Sequence, residues 1–324
     1  MLLSKNLIII HRALLVTMFS SIFISCNENK NTDVASVGAD IAFAKAESNS
    51  STPLTANTKE YRSLSQEWQD YWYAGKAEIT SYTLEQSRYG EARDGTAVLI
   101  FVTEDFLPDE QVKANRQNPS NIPVLKLNAT KKFITGIYPY SVMNSTFYPV
   151  KEKDHAIKVS QSMQEWCGHI YTQINNRDQF EVMSHSYFEG SSDKEFELPK
   201  TILENELWTQ LRMDPTELPT GAIEVIPSLE FVRMNHAKLK AYKAEATLTD
   251  NTYTLVYPDL ERSLVITYNS SFPYEIEKFE ETVKNRRSGK PMTTTATKIK
   301  TIKNAYWGKN SNADQAIRKE LGLE

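Results

Sequence analysis

The chain is poor in the features that announce a known chemistry. It has two cysteines, Cys26 and Cys167, and five histidines in 324 residues. Two cysteines allow one disulfide at most, so a disulfide framework cannot be the source of its stability. A membrane-spanning apolar run is missing too. The stretch Ala13 to Ile24 is interrupted by Thr17, Ser20 and Ser21, and a spanning helix needs about 20 apolar residues. There is no excess of positive charge: 37 Lys and Arg stand against 41 Asp and Glu, so nothing points to nucleic acid as a partner. The patterns GxSxG, HExxH, GxxxxGK[ST] and GxGxxG are absent. That removes the familiar hydrolase, zinc-protease, P-loop and dinucleotide signatures and leaves no cofactor or metal implied. No repeat of solenoid or propeller period is present.

What is there begins at the N-terminus. Residues 1–25 hold Lys5 and Arg12, no acid, and then the apolar run from Ala13. This is the layout of a secretory signal. Arg12 follows a histidine, so the signal is not of the twin-arginine kind. The run stops at "FISC", and a small residue before a cysteine resembles the lipobox of bacterial lipoproteins. In that family the signal is cut before the cysteine, which then carries the lipid; here that residue is Cys26, with Phe23 where the family usually has Leu. Cleavage removes two cations and no acid, moving the net charge from −4 to −6. It also leaves Cys167 as the one free thiol, so packing alone must hold the fold. Residues 26–58 are rich in Asn, Ser, Thr and Ala and weak in large apolar side chains, the composition of a disordered tether. The expected product is an outer-membrane lipoprotein held by acyl chains and facing the periplasm or the cell surface.

From Lys59 to the end the chain reads as a β-dominated α+β body. It has 16 Tyr, 13 Phe and 5 Trp, and its β-branched residues recur in short runs. Residues 242–268 show the pattern best. A two-residue turn at Asp250-Asn251 sets Leu248 opposite Tyr253 and Ala246 opposite Leu255. A second loop near "PDLER" is expected to set Tyr257 opposite Leu264 and Leu255 opposite Ile266. One face is then apolar and the other carries Lys243, Glu245, Thr247, Thr254, Ser263 and Thr267, an antiparallel meander wet on one side. "FPYEIEKFEETV" adds a strand after Pro273. Residues 76–106 read as strand, turn, strand, and "AVLIFV" (97–102) is apolar on both faces, a doubly covered central strand. Residues 122–150 give two more, with Pro139 implying an edge or a bulge. Helices are few: within "KEYRSLSQEWQDYW", over 201–213 with Pro215 as its stop, and at the end with Gly322 as its C-cap. The body could divide near residues 200–220.

The candidate site residues come from "WCGHIYTQINNRDQFEVMSHSY". A hairpin centred on Asn176-Arg177 puts Cys167, His169, Tyr171, Val182 and Ser184 on one face, with His185 on the other. A cysteine and a histidine two apart on a strand can touch, but a nucleophilic thiol needs a lowered pKa and an oriented base. The expected role is a wall facing a core or a ligand cavity, with no catalytic residue. The carboxylates of "EKFEET" read as a solvated strand face. Residues 283–303, "VKNRRSGKP" with "TKIKTIK", are basic, and read either as an exposed loop and strand or as a surface for anionic lipid head groups.

Several stretches carry a family resemblance: "YWYAGKAEITSYTLEQSRYGEARDG", "NPSNIPVLKLNATKKFITGIYPYS", "SMQEWCGHIYTQINNRDQFEVMSHSYFEG" and "TKIKTIKNAYWGKNSNADQAIRKELGL". With them the body resembles a family of Gram-negative lipoproteins whose members often bear the name septum formation inhibitor Maf. That name belongs to a different family, short cytoplasmic nucleotide pyrophosphatases with a Ser-x-Ser-Pro-Arg-Arg signature near the start of an α/β fold. Here the sole Arg-Arg is Arg286-Arg287, preceded by "TVKN", so no catalytic residue carries over. The meander, the few helices and the lipobox are also similar to the lipoprotein-carrier fold of the cell envelope, in which a curved half-barrel cups a lipid or acyl chain around helices. The resemblance implies an antiparallel curved half-barrel binding a lipid-like ligand or an envelope protein. Two other readings stay open: an envelope hydrolase with a site near Cys167 and His169, and a structural, partner-binding lipoprotein with a filled core.

Overall fold

Alternation of apolar and polar side chains decides most of the described chain, residues 60–323 of this computed structural model. The signal region, Cys26 and the tether lie outside the described residues. In chain order the elements are α1 (Gln66–Trp72), β1 (Ala77–Arg88), β2 (Glu91–Leu107), β3 (Val112–Lys113), β4 (Ile122–Thr135) and β5 (Tyr138–Pro149). Then come β6 (Lys158–Glu165), β7 (Gly168–Asn176), β8 (Phe180–Ser186), β9 (Lys194–Leu198), β10 (Ile202–Leu203), α2 (Glu204–Met213), β11 (Gly221–Ile226) and α3 (Leu229–Asn235). The chain finishes with β12 (Tyr242–Leu248), β13 (Thr252–Tyr257), β14 (Arg262–Tyr268), β15 (Ile276–Lys284), β16 (Pro291–Asn304) and α4 (Gln315–Glu320).

All sixteen strands belong to one sheet. Its order runs β10 to β16, then β1, β2 and β4 to β9, with the short β3 beside β2. Pairing is antiparallel throughout except for β10 with β11. The sheet is open, with β9 and β10 as its edges. It is also strongly curved. Lys131 on β4 has its Nζ 5.6 Å from the ring of Phe279 on β15. Those strands are four positions apart, which a flat sheet would separate by about 19 Å. The expected β-dominated curved half-barrel is therefore what forms.

The curvature gives the sheet an inside. One apolar core takes side chains from nearly every long strand, among them Leu84, Leu99, Leu127, Leu264, Phe279 and Ala296. Helices α2 and α3 fill it, α2 across β4 and β5 and α3 across β5 and β6. Residues 200–220 carry α2 into this interior. The C-terminal segment covers part of the outer face. Leu321, Ile317 and Leu323 pack on Ala77, Ile79, Val98, Ile100 and Val102, so the stretch 97–102 is covered on both sides as its composition demands. Gly322 (φ 64°) follows α4 with two bonds that close the helix end, Gly322 N–H to Lys319 O at 3.0 Å and Leu323 N–H to Arg318 O at 3.0 Å. This is the paired closure that glycine permits.

The hairpin of β12 and β13 has the expected register, Leu248 with Tyr253 and Ala246 with Leu255. The next one is displaced. Leu255 pairs with Leu264 and Tyr257 with Arg262, two residues from expectation. An even displacement keeps the same residues inward, and Tyr253, Leu255, Tyr257, Leu264 and Ile266 are all buried. Pro139 marks a local edge and no bulge. It lies at the start of β5 opposite Ile134, ahead of Ser141, where pairing with β6 begins, so its missing N–H leaves no strand unpaired. The helix expected over 201–213 begins only at Glu204, because Ile202 and Leu203 pair with β11.

Candidate ligand-binding groove

The sequence candidates do not converge. Glu165 pairs with Gly168, so Trp166 and Cys167 form a turn between β6 and β7 rather than part of a strand. Cys167 is exposed, not a wall. Its backbone N–H donates to the Glu165 carboxylate at 2.6 Å. That carboxylate, by hydrogen bond and charge, pushes the thiol pKa up, the opposite of what a nucleophile requires. The β7–β8 hairpin has a three-residue loop, so Ile174 pairs with Val182 and Tyr171 with His185. The displacement from expectation is odd, and an odd displacement turns one strand over. His169 and Tyr171 face outward with His185, while Val182 and Ser184 face inward. Val182 is core. Tyr171 bonds only sideways, its Oη donating to Gln173 Oε1 at 2.7 Å. His169 and His185 thus share a face after all. Among the described residues no three of His, Cys, Asp and Glu gather as a metal site.

Of the five candidates, Ser184 leads to a cavity. It lines a groove of about 580 Å³ between β7–β9 and α3. Why α3 forms there is local chemistry. Ser228 Oγ accepts from Phe231 N–H at 3.2 Å and caps the helix start. Leu229 and Met234 are buried, and His236 ends the helix in the left-handed region at φ 51°. Leu229 and Val232 form one apolar wall, continued by Leu239. Ile170 of β7 and Phe196 of β9 form the other. The small polar groups Thr172, Ser184 and Ser186 lie between, with Ser184 Oγ 3.0 Å from Thr172 Oγ1. The titratable side chains of the lining are Lys194, Arg233, His236 and Lys238, with no carboxylate among them. The Arg233 guanidinium stacks over the Phe188 ring at 4.3 Å.

The interior beneath α2 offers little room by comparison. The cavity there holds about 60 Å³, and charged groups close it off. Arg262 forks onto Glu204, with Nη2 to Oε1 at 2.6 Å, while its Nε donates to Glu281 at 2.6 Å. Tyr257 Oη donates to the same Glu204 carboxylate at 2.7 Å. A second buried fork joins Arg212 to Glu78, with Nη2 to Oε2 at 2.7 Å and Tyr71 adding a bond from its Oη. Burial would raise the pKa of Glu78 and of Glu204, but the facing arginine and its hydrogen bonds outweigh burial and hold each one low. Glu281, from the cluster expected to be solvated, is inward through this contact. His155 Nδ1 lies 2.9 Å from Glu206. That carboxylate also takes the N–H of Ala156 and of Leu203, so the pair pins α2 to the loop before β6.

Sequence reasoning missed Arg233 and His236 because it missed α3. The signal was Pro227-Ser228 ahead of "LEFV", a cap before an apolar run, but seven residues are too few to show a helical period.

No family model matches the chain, and no curated protein does. Two solved structures are similar in outline. One is a β-barrel-like protein of a domain of unknown function from Brucella abortus, with 7% identity and a TM-score of 0.41, covering 70% of this chain and 97% of that one. The other is a porin-like protein from Bacteroides uniformis, with 10% identity and a TM-score of 0.21, covering 69% of this chain and 95% of that one. Likeness at these values carries no argument about function.

Proposed function

We propose that the protein is a non-enzymatic lipoprotein of the cell envelope, anchored in the outer membrane through acylated Cys26, that binds a lipid-like ligand in the groove between α3 and β7–β9. The anchor rests on the N-terminal sequence: Lys5 and Arg12, the run from Ala13 to Ile24, and "FISC". The ligand site rests on one observation, an apolar-walled groove of about 580 Å³, within the roughly 300–1,000 Å³ range of small-molecule sites. The packed interior, with its 60 Å³, argues that any ligand lies beside the helices rather than under them. The hydrolase reading finds no support around Cys167, a thiol on a hairpin turn with a carboxylate as its neighbour.

Native mass spectrometry of the mature chain carrying Cys26→Ser, purified from the periplasm, tests the proposal. A stoichiometric apolar ligand is expected, and it should be lost when Ser184→Trp fills the groove. An empty protein, with a partner captured by cross-linking, would favour the partner-binding reading instead.

A further inference from the structure

The groove between α3 and β7–β9 opens beside a second groove of about 310 Å³, with which it shares His236 and Ala237. The second groove is bounded by the β1–β2 turn at Tyr89-Gly90, the end of α3, and the loop between β15 and β16 that carries Arg286.

The charges around it fall into two sets. Most of its carboxylates are already paired: Glu230 with Lys131 at 2.7 Å, Glu281 with Arg262 at 2.6 Å, and Glu261 with Lys284. Asp259 is the remaining acid of the lining. The cations Arg88, Arg233 and Arg286, and the nearby His236, have no ion-pair partner among the described residues. They lie close enough to act on one another. Burial first, then Arg233, Arg88 and Arg286, push the His236 pKa down, and burial and then Arg88 lower that of Arg233, with Tyr140, Glu165 and Tyr89 opposing. Three arginines gathered with few unpaired carboxylates near them repel one another, and a bound anion would relieve that repulsion.

Arg88 is also held in place. Its Nη1 donates to Met234 O at 2.8 Å, and its guanidinium stacks over Tyr89 at 4.3 Å. Yet its buried Nε has no acceptor. Next to it Gln86, only 4% exposed, lines the same groove with its Oε1 accepting nothing. A fixed donor short of an acceptor and a buried acceptor short of a donor sit on one wall. A phosphate monoester supplies both, its anionic oxygens accepting and the P–OH of its monoprotonated form donating.

We propose that the ligand is an anionic, phosphate-headed lipid. Its head group lies against Arg88 and Arg286 in the second groove, with Arg233 on the lining of the apolar groove next door, where its chains lie. The inference rests on the binding site proposed above and adds the chemical class of its occupant. It also gives a role to Arg286, part of the basic stretch 283–303 noted in the sequence.

The test titrates the mature Cys26→Ser chain with three probes: a short-chain phosphatidic acid, the diacylglycerol with the same chains, and inorganic phosphate. Binding is read by tryptophan fluorescence and calorimetry. Phosphatidic acid should bind at least about tenfold more tightly than diacylglycerol, an advantage that shrinks as salt rises. Arg286→Gln, at an exposed position outside the apolar groove, should remove much of that advantage while leaving diacylglycerol binding and thermal stability unchanged. Equal binding of the two lipids would overturn the inference and leave the apolar groove standing. Binding of neither would overturn both. Phosphate binding as tightly as phosphatidic acid would show a site for a soluble anion and overturn the lipid assignment.

Discussion

Individual side chains explain why the interior of this protein is closed. Arg212 and Arg262 are as buried as the leucines around them, and each is tolerated there because a carboxylate fork and an aromatic face meet it. Arg262 lies 4.2 Å over Phe231, and Arg212 lies 4.8 Å over Phe101. Losing one member of such a pair leaves a naked charge in low dielectric, typically at a cost of about 3–5 kcal/mol. His155 gives a milder and more measurable effect. Burial pulls its pKa down, but the hydrogen bond and charge of Glu206 outweigh burial and hold it above 6.5. A folded-state pKa above the unfolded one adds stability that is full below the unfolded value and fades as pH rises through the folded one. The urea midpoint should therefore fall as pH climbs above 6.5, and His155→Gln should flatten that dependence. An unchanged slope in the variant would show that other groups set it.

At the scale of elements, the strands were legible and their registers only in part. The hairpin of β12 and β13 was readable because Asp250-Asn251 fixes the turn and every second residue is apolar. The next hairpin slipped because Arg262 reads as a loop residue. In fact it faces inward opposite Tyr257, and the acids that make this tolerable, Glu204 and Glu281, come from α2 and β15. No local pattern contains that information. The β7–β8 hairpin slipped by an odd number, which is why the candidate site dissolved. Of its five residues, Ser184 lines the groove, Val182 stands behind it in the core, and Cys167, His169 and Tyr171 lie elsewhere. The close pairing of β2 with β4 yields a prediction of its own. Gly95 lies opposite Phe133, where an added Cβ would meet Lys132 O at 2.3 Å and Phe133 Cβ at 2.8 Å. Gly95→Ala forces two central strands apart and should destabilise by about 1–3 kcal/mol, read from chemical denaturation. A neutral result would mean the sheet bends more freely there than its packing implies.

Taken whole, the molecule is a long strip wound around two helices, and its integrity depends on a seam. The first strand of the strip in sequence, β1, is bonded to the last, β16, from Ala77 with Asn304 to Glu85 with Thr295. Every other pair of neighbouring long strands is joined by a nearby connection. Without β16, both β1 and β15 would be exposed edges, each long and hydrogen-bond hungry, a setting for intermolecular pairing. A chain ended after Asn285 should therefore form aggregates rather than a smaller folded body, as size-exclusion chromatography would show. A monomeric, cooperatively unfolding fragment would refute this.

The seam also sets a timetable. Thr80 and Thr301, hydrogen-bonded across it at 3.0 Å, are 221 residues apart along the chain. Hairpins within each half can close in microseconds, but this joint waits until nearly all of the polypeptide has been delivered, and contacts so distant in sequence slow the overall rate. A chain threaded across a membrane from its N-terminus would present β1 early and its partner last. The interval between those two arrivals is when the protein is most exposed to misassembly, and a holding chaperone in the receiving compartment would have its use then.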